Sequence, residues 1–301
     1  MRKLKFLISL TTNENDYQLE QAQSAQDAAE KLGMAIDIVY SGNDAITQSN
    51  NLLHVIQGDP KAFPDAIIFE PVGGTAMPQV ARAAVNAGIG WAVLNREAPY
   101  IAEFRRFSKV PILSITTNHV EVGRIAGRQC AAMLPGGGSI LYLEGPSHSD
   151  AAREREVGLQ LTKPANIHVS TLKGQWTDDS AEKAVANWLK LPTSQKTKID
   201  LVVAQNDLMA MGARKAFQAL PNETDRERWL ALPFLGCDGV PKTGQVWVRS
   251  GLLKATVCIP PNTGMAVEML VDAFLNEKTP PERTFTLPVS IPPLETLCPA
   301  S

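Results

Sequence analysis

The chain has 301 residues, of which 44% are hydrophobic and 20% charged, with a net charge of −2 and only 6% aromatics. These values describe a folded chain long enough for two α/β lobes, and they exclude a disordered segment. They also exclude the basic footprint of a nucleic-acid-binding protein. No apolar run reaches the ~18 residues that span a bilayer.

The first ten residues, MRKLKFLISL, place basic residues before an apolar stretch that is too short for a signal peptide and lacks a cleavage site. They read as a first strand, Leu4 to Leu10. Short apolar runs with polar residues at their carboxyl ends mark buried parallel strands at Phe6–Leu10, Ala35–Tyr40, Ala66–Phe69, Trp91–Leu94 and Pro111–Ile115. Between them, Leu19 to Leu32 predicts a helix whose inner face is Leu19, Ala22, Ala25, Ala29 and Leu32, stopped by Gly33. Met77 to Ala87 predicts another, closed by Gly88. Arg105, Arg106 and Lys109 form the densest basic stretch and read as a solvated loop.

The alternation resumes with a helix at Val120–Leu134. The glycines at 136–138 follow that helix and precede a strand, which is the wrong order for a phosphate-binding loop and the right one for a helix stop and turn. Further strands fall at Ser139–Leu143, His168–Leu172, Leu201–Ala204, Pro233–Gly236 and Leu253–Ile259. Further helices fall at Asp150–Leu161, Asp178–Leu191, Asp207–Leu220 and Asn262–Asn276. The expected fold is α/β, with two Rossmann-like lobes built on parallel sheets. Chain crossings near Thr116–Asn118, Ile259–Pro261 and Phe285–Ile291 give one lobe from residues 1–117 plus about 260–288 and a second from 118–259 plus about 289–301.

In open α/β sheets ligands bind beyond the carboxyl ends of the strands. Reading those ends in order gives TTNENDY with Asn15 and Tyr17, then Glu70, then Asn95 and Arg96. In the second half come Arg153 and Arg155, Trp176, the Gln205–Asn206–Asp207 run, and Asp238. Sugar hydroxyls donate and accept, which suits carboxylates, carboxamides and guanidinium groups together. A sugar ring's apolar face suits Tyr17 or Trp176. Each residue also has a local reading: Asn15 or Asp178 as helix caps, Asp207 as partly a cap, Arg153 as a solvated helix residue, Trp176 as packing, and Glu70 as the ion-pair partner of Arg96. The four cysteines and four histidines lack metal-ligand spacing, so no metal and no cofactor is expected, and the cysteines read as free, mostly buried thiols. No hydrolase elbow, P-loop or HExxH motif is present. Glu70 and Asp238 as an acid/base pair are outweighed by carboxylates that grip hydroxyls.

Four segments together resemble a known family: SDAAREREVGL from Ser149, AQNDLMAMGARKAF from Ala204, LGCDGVPKTG from Leu235 and VLNREAP from Val93. They are similar to periplasmic sugar-binding proteins of the ribose-binding type and to the effector domains of the LacI repressor family, over nearly the whole chain. The resemblance implies a hinged clamshell of the type I periplasmic binding protein fold, closing on a monosaccharide or related polyol without chemistry. It implies ligand positions at Asn15, Tyr17, Glu70, Asn95, Arg96, Arg155, Trp176, Asn206 and Asp238. It also implies a monomeric receptor for an ABC-type permease or a sensor kinase, with no nucleic acid bound. The location would be periplasmic or extracellular after removal of a signal peptide, and otherwise cytoplasmic. Asn95 stands where the family has aspartate, Glu70 where it has asparagine, and Ile259 where it often has a hinge glutamine, so the ligand need not be ribose. The alternative is an effector domain without its DNA-binding headpiece, for which the early first strand leaves no room.

Overall fold

The structure is a computed structural model that describes residues 2–73, 76–96 and 98–297. The chain divides into two compact units, Met1–Thr117 with Pro261–Thr286, and Asn118–Pro260 with Leu287–Ser301.

The first unit runs β1 (Lys5–Leu10), α1 (Asp16–Leu32), β2 (Ala35–Tyr40), α2 (Ala45–Ile56), β3 (Ala66–Phe69), α3 (Pro78–Asn86), β4 (Gly90–Leu94), α4 (Tyr100–Arg105) and β5 (Ile112–Thr117). The second runs α5 (His119–Met133), β6 (Gly138–Glu144), α6 (Asp150–Thr162), β7 (Ile167–Lys173), α7 (Asp178–Leu189), α8 (Pro192–Lys196), β8 (Leu201–Ala204), α9 (Asp207–Gln218), α10 (Glu223–Leu230), β9 (Phe234–Asp238), α11 (Gly244–Arg249) and β10 (Ala255–Cys258). The chain then returns to the first unit for α12 (Thr263–Leu275) and β11 (Arg283–Thr286), and closes the second with β12 (Val289–Ile291).

Each unit holds one six-stranded sheet, ordered β11-β5-β4-β3-β1-β2 and β12-β10-β9-β8-β6-β7. The central strands are buried along their length, as a parallel sheet covered on both faces requires. In the first unit α1 and α12 cover one face through Ala25, Ala29, Val267 and Leu270. The other face packs on Leu52, Val80, Ala84 and Phe104 from α2, α3 and α4. In the second unit α7 and α9 supply Val185, Ala213 and Phe217 to one face, and α5 and α6 supply Cys130, Met133 and Leu159 to the other.

The structure departs from the sequence expectations at several points. In α1 the expected inner face holds at Ala22, Ala25, Ala29 and Leu32 but not at Leu19, which is 49% exposed, while Gln18 and Gln21 are buried. The segment Ala45–Ile56 is helical although half its residues are polar, because Leu52 and Ile56, with Leu53 and Val55 partly buried beside them, seal it to the core. Helices α4, α10 and α11 occupy stretches without a clear period. Strand β12 pairs antiparallel with β10, against the all-parallel expectation, because it arrives from a return crossing at the sheet edge. The basic stretch is not a free loop at Arg105, which ends α4 and donates to the carbonyls of Ile112 at 2.6 Å and Pro280 at 2.8 Å.

Helices α5 and α6 meet backbone to backbone through glycines, and this contact fixes the helix that carries Arg155. A Cβ on Gly123 would lie 2.0 Å from the Arg155 carbonyl oxygen, and one on Gly158 would lie 2.0 Å from that of Val120. Gly123→Ala is therefore expected to push α6 outward and to destabilise the fold by about 1–3 kcal/mol, measured by urea unfolding. Burial pushes the Cys130 thiol up to about 12 and raises that of Cys237 as well. Both are expected to resist a thiol reagent at pH 8 in the native protein and to react once it is unfolded, as counted by mass spectrometry.

Candidate functional site

In the first unit the chain leaves β1 for β2 on one side and returns through β3 on the other, so the carboxyl ends of β1 and β3 flank the point where strand order reverses. Asn15, Tyr17 and Glu70 follow these two strands, and Asn95 and Arg96 follow β4 next door. Asn15 caps α1, its Oδ1 accepting the N–H of Tyr17 at 2.9 Å. The cap turns Tyr17 inward, where its hydroxyl accepts from Gln21 Nε2 at 3.4 Å and, at the long limit of 3.5 Å, from Asn95 Nδ2. Glu70 is 6% exposed. Its Oε2 accepts from Gln18 Nε2 at 3.0 Å and Asn95 Nδ2 at 3.2 Å.

The ion pair expected between Glu70 and Arg96 does not form. Arg96 Nη1 instead donates to the carbonyl of Asn95 at 2.8 Å, and its Nε is buried without a hydrogen-bond partner among the described residues. Glu70 is surrounded by neutral carboxamides. Sequence reading missed four of these: Gln18, Gln21, Gln48 and Asn262, all buried. Gln48 Nε2 donates to the Glu70 carbonyl at 2.9 Å and its Oε1 accepts the N–H of Val72 at 2.8 Å, which fixes the backbone on both sides of Pro71. The signal for Gln18 and Gln21 was their spacing with Ala25 and Ala28, on the face that Leu19 does not share.

In the second unit the corresponding strand ends are those of β6, β8 and β9. Arg155, 7% exposed, donates through Nη1 to the Gln205 carbonyl. The same nitrogen lies 3.7 Å from Asp238 Oδ1, and the guanidinium sits 5.3 Å from the Trp176 ring centroid. A guanidinium between a carboxylate and a ring is held flat and oriented. Trp176 lies against the end of β6 because Gly145 has no Cβ, which would otherwise stand 2.3 Å from the indole. Three of the nominated residues adopt positive φ: Asn95 at 54°, Trp176 at 66° and Asp238 at 103°. Bulky residues seldom hold such angles, and they gather where a ligand site justifies the strain.

Three residues of the AQND run have structural duties. Asn206 caps α9, accepting from the Met209 N–H at 2.8 Å and donating to the Trp176 carbonyl at 2.9 Å. Asp207 is not the cap. It is fully buried, accepts from Thr256 Oγ1 at 2.7 Å and from the Gly239 N–H at 2.8 Å, and occupies the space left by Gly236 and Gly244. Gln205 holds Tyr142, the Ala152 carbonyl and the Gly145 N–H together. Arg153 is exposed and pairs with Asp150 on its own helix, and Asp178 pairs with Lys215, with Thr177 as the cap. Among the described residues no cluster of His, Cys, Asp and Glu could hold a metal ion, and no helix is long and apolar enough to cross a membrane. Cys130 and Cys237 are buried and Cys258 is half-buried; Cys298 lies outside the described residues.

A family model described as the periplasmic binding protein domain matches residues 6–278. The chain is 27% identical to the ribose import binding protein of Salmonella typhimurium over 87% of its own length and 81% of that protein's. It is 31% identical to a xylitol-binding protein of Mycolicibacterium smegmatis, over 72% of this chain and 57% of that one. Its fold is similar to that of a periplasmic solute-binding protein of an ABC transporter from Actinobacillus succinogenes, solved with bound D-allose. That match has a TM-score of 0.80 and 21% identity, and covers 96% and 97% of the two chains.

Asp207 anchors the turn that carries Asp238. Asp207→Asn loses one of its two charged acceptors, so the fold is expected to lose on the order of 2–3 kcal/mol in chemical denaturation. Lys215→Ala, which removes only an exposed ion pair, is expected to cost less than about 1 kcal/mol in the same assay.

Proposed function

Because the chain belongs to the periplasmic binding protein domain family, we propose that it binds a monosaccharide or related polyol without chemistry, as the solute receptor of an ABC-type transporter or of a sensor. The observation that carries this reading is the Trp176, Arg155 and Asp238 triplet at the strand ends of the second unit. It offers an apolar ring, a planar donor and an acceptor within one group of contacts, and these are the three things a sugar ring needs from a protein. Tyr17, Glu70, Asn95 and Arg96 offer the same classes of group at the strand ends of the first unit.

Ionised carboxylates and guanidinium groups read hydroxyls through charge-assisted hydrogen bonds, the stronger kind. Nothing in either cluster supplies a nucleophile activated by a base. The carboxylates Glu70 and Asp238 are engaged by carboxamides and by Arg155 respectively, which suits grip rather than proton transfer. The ribose and xylitol relatives are binding proteins, and this supports a receptor over the effector domain of a transcriptional regulator. A receptor of this kind works outside the cytoplasmic membrane, as a monomer beside its permease or sensor.

A thermal-shift screen over pentoses, hexoses, linear polyols and cyclitols is expected to raise the melting temperature with one of these classes, because a ligand bound only by the folded state stabilises it. Calorimetry with that compound is expected to show Arg155→Ala and Arg96→Ala each losing on the order of 2–4 kcal/mol of binding. Affinities equal to wild type in both variants, or turnover of the compound, would reject the reading.

A further inference from the structure

Behind Glu70 lies a chain of buried carboxamides whose direction is fixed at both ends. Gln21 Oε1 accepts the backbone N–H groups of Asn262 at 2.8 Å and Thr263 at 3.1 Å, and the Thr263 hydroxyl at 2.9 Å. A backbone N–H can only donate, so this end of Gln21 must be its oxygen. Gln21 Nε2 then donates to Asn262 Oδ1 at 2.8 Å. Asn262 Nδ2 donates to the Ile115 carbonyl at 3.1 Å and to Asn95 Oδ1 at 2.8 Å. Asn95 Nδ2 is left to donate to Glu70 Oε2 at 3.2 Å. An ionised carboxylate can only accept, so the far end agrees with the near one. Gln18 joins with the same polarity, its Oε1 taking the Thr11 N–H at 3.2 Å and its Nε2 facing Glu70 Oε2 at 3.0 Å. All donors that reach the carboxylate arrive at Oε2, and Oε1 receives none from the described residues.

We propose that Asn262 is a positioning residue of the binding site, which sets the orientation of the Asn95 amide and thereby leaves Glu70 Oε1 as the acceptor that the first unit presents to ligand. Asn262 is fully buried and acts through Asn95. The oxygen of Asn95 already accepts from Asn262 inside the protein, whereas Glu70 Oε1 accepts from none of the described residues, so Oε1 is the least engaged acceptor of the cluster. The ligand must therefore bring a hydrogen-bond donor to Glu70. A hydroxyl fits, whereas an ether oxygen at that position leaves the carboxylate oxygen unpaired and a ligand carboxylate is repelled. The polarity of this relay, rather than the residue types at the strand ends, sets which ligand positions must carry a free hydroxyl. The ligand arm of this inference rests on the sugar-binding reading; the relay itself does not.

The relay makes a prediction that ordinary packing does not. In Asn262→Asp the residue can still accept from Gln21 but can no longer donate to Asn95. The Asn95 amide turns to donate to the new carboxylate and aims its oxygen at Glu70. Removing the Glu70 carboxylate abolishes that conflict. In a double-mutant cycle of Asn262→Asp with Glu70→Ala, followed by chemical denaturation, Asn262→Asp is expected to lower the folding equilibrium constant at least about fivefold less in the Glu70→Ala background than in wild type. The two residues share no direct hydrogen bond, so additive effects would overturn the proposal. If Asn262→Asp does not fold with Glu70 present but folds in the Glu70→Ala background, the coupling is established. If it folds in neither, the cycle is run with Asn262→Ala, for which additivity again overturns the proposal. With the strongest binder among D-ribose, D-allose, xylitol and myo-inositol, Asn262→Asp is expected to lose more affinity than Asn262→Ala. The reverse order marks a merely structural asparagine and overturns the proposal. A panel in which nothing binds wild-type protein counts against the sugar-binding reading, and the folding cycle still decides the relay.

Discussion

A parallel strand covered by helices on both faces has no surface on which to place a polar side chain, so its polar residues collect where the strand ends. Strands β3, β4, β8 and β9 are buried at every position, and each ends in, or is followed at once by, a carboxylate or a carboxamide. The order of strands then decides which ends are neighbours. The two sheets have the same order, so Glu70 and Asn95 in one unit correspond to Gln205 and Asp238 in the other. Both clusters thus follow from one topological rule applied twice.

Placing charge at strand ends creates a second problem, because an ionised carboxylate out of water needs donors. The two units meet it with different chemistry. Glu70 is held by side-chain amides from Gln18 and Asn95, themselves pinned by backbone groups and by Asn262. Asp207 is held by a hydroxyl and a backbone N–H, in a slot that only glycine at 236 and 244 can leave open. The glycines of the LGCDG turn and of helix α11 thus serve a carboxylate some thirty residues earlier in the chain, and that carboxylate steadies the turn carrying Asp238.

Sequence patterns revealed the fold where periodicity was strong and misjudged it where tertiary contacts overrode pattern. The buried strands and helices α5, α6, α7, α9 and α12 were legible because apolar runs and capping residues coincide in them. Helix α2 was not, since Leu52 and Ile56 carry its packing among polar neighbours. In α1 a leucine reads as core from its spacing, whereas the buried Gln18 and Gln21 go unmarked. The glutamines go inside because an amide can be buried once every one of its groups has a partner. At the site, strand-end logic found residues that converge, but it could not distinguish a ligand-facing group from one consumed within the protein. Asn206 caps a helix, Asn95 has its oxygen bound to Asn262, and Arg96 does not pair with Glu70. Those distinctions depend on contacts between residues as far apart as Gln21 and Asn262, which no local pattern encodes.

The interleaving of the two units along the chain has a consequence for biosynthesis. The first unit lacks an edge strand and a core-forming helix until residues 261–286 are made, and Val267 and Leu270 of α12 are part of its core. By contrast, residues 118–260 already hold five of the second unit's six strands and await only the short β12. During vectorial synthesis the half that emerges first must therefore wait, with the face that α12 will cover still open, until the half that follows has left the ribosome. A chain stopped near residue 260 is expected to hold a nearly finished second unit beside a sticky, incomplete first one. Chaperone capture would then fall chiefly on the amino-terminal half of the nascent protein.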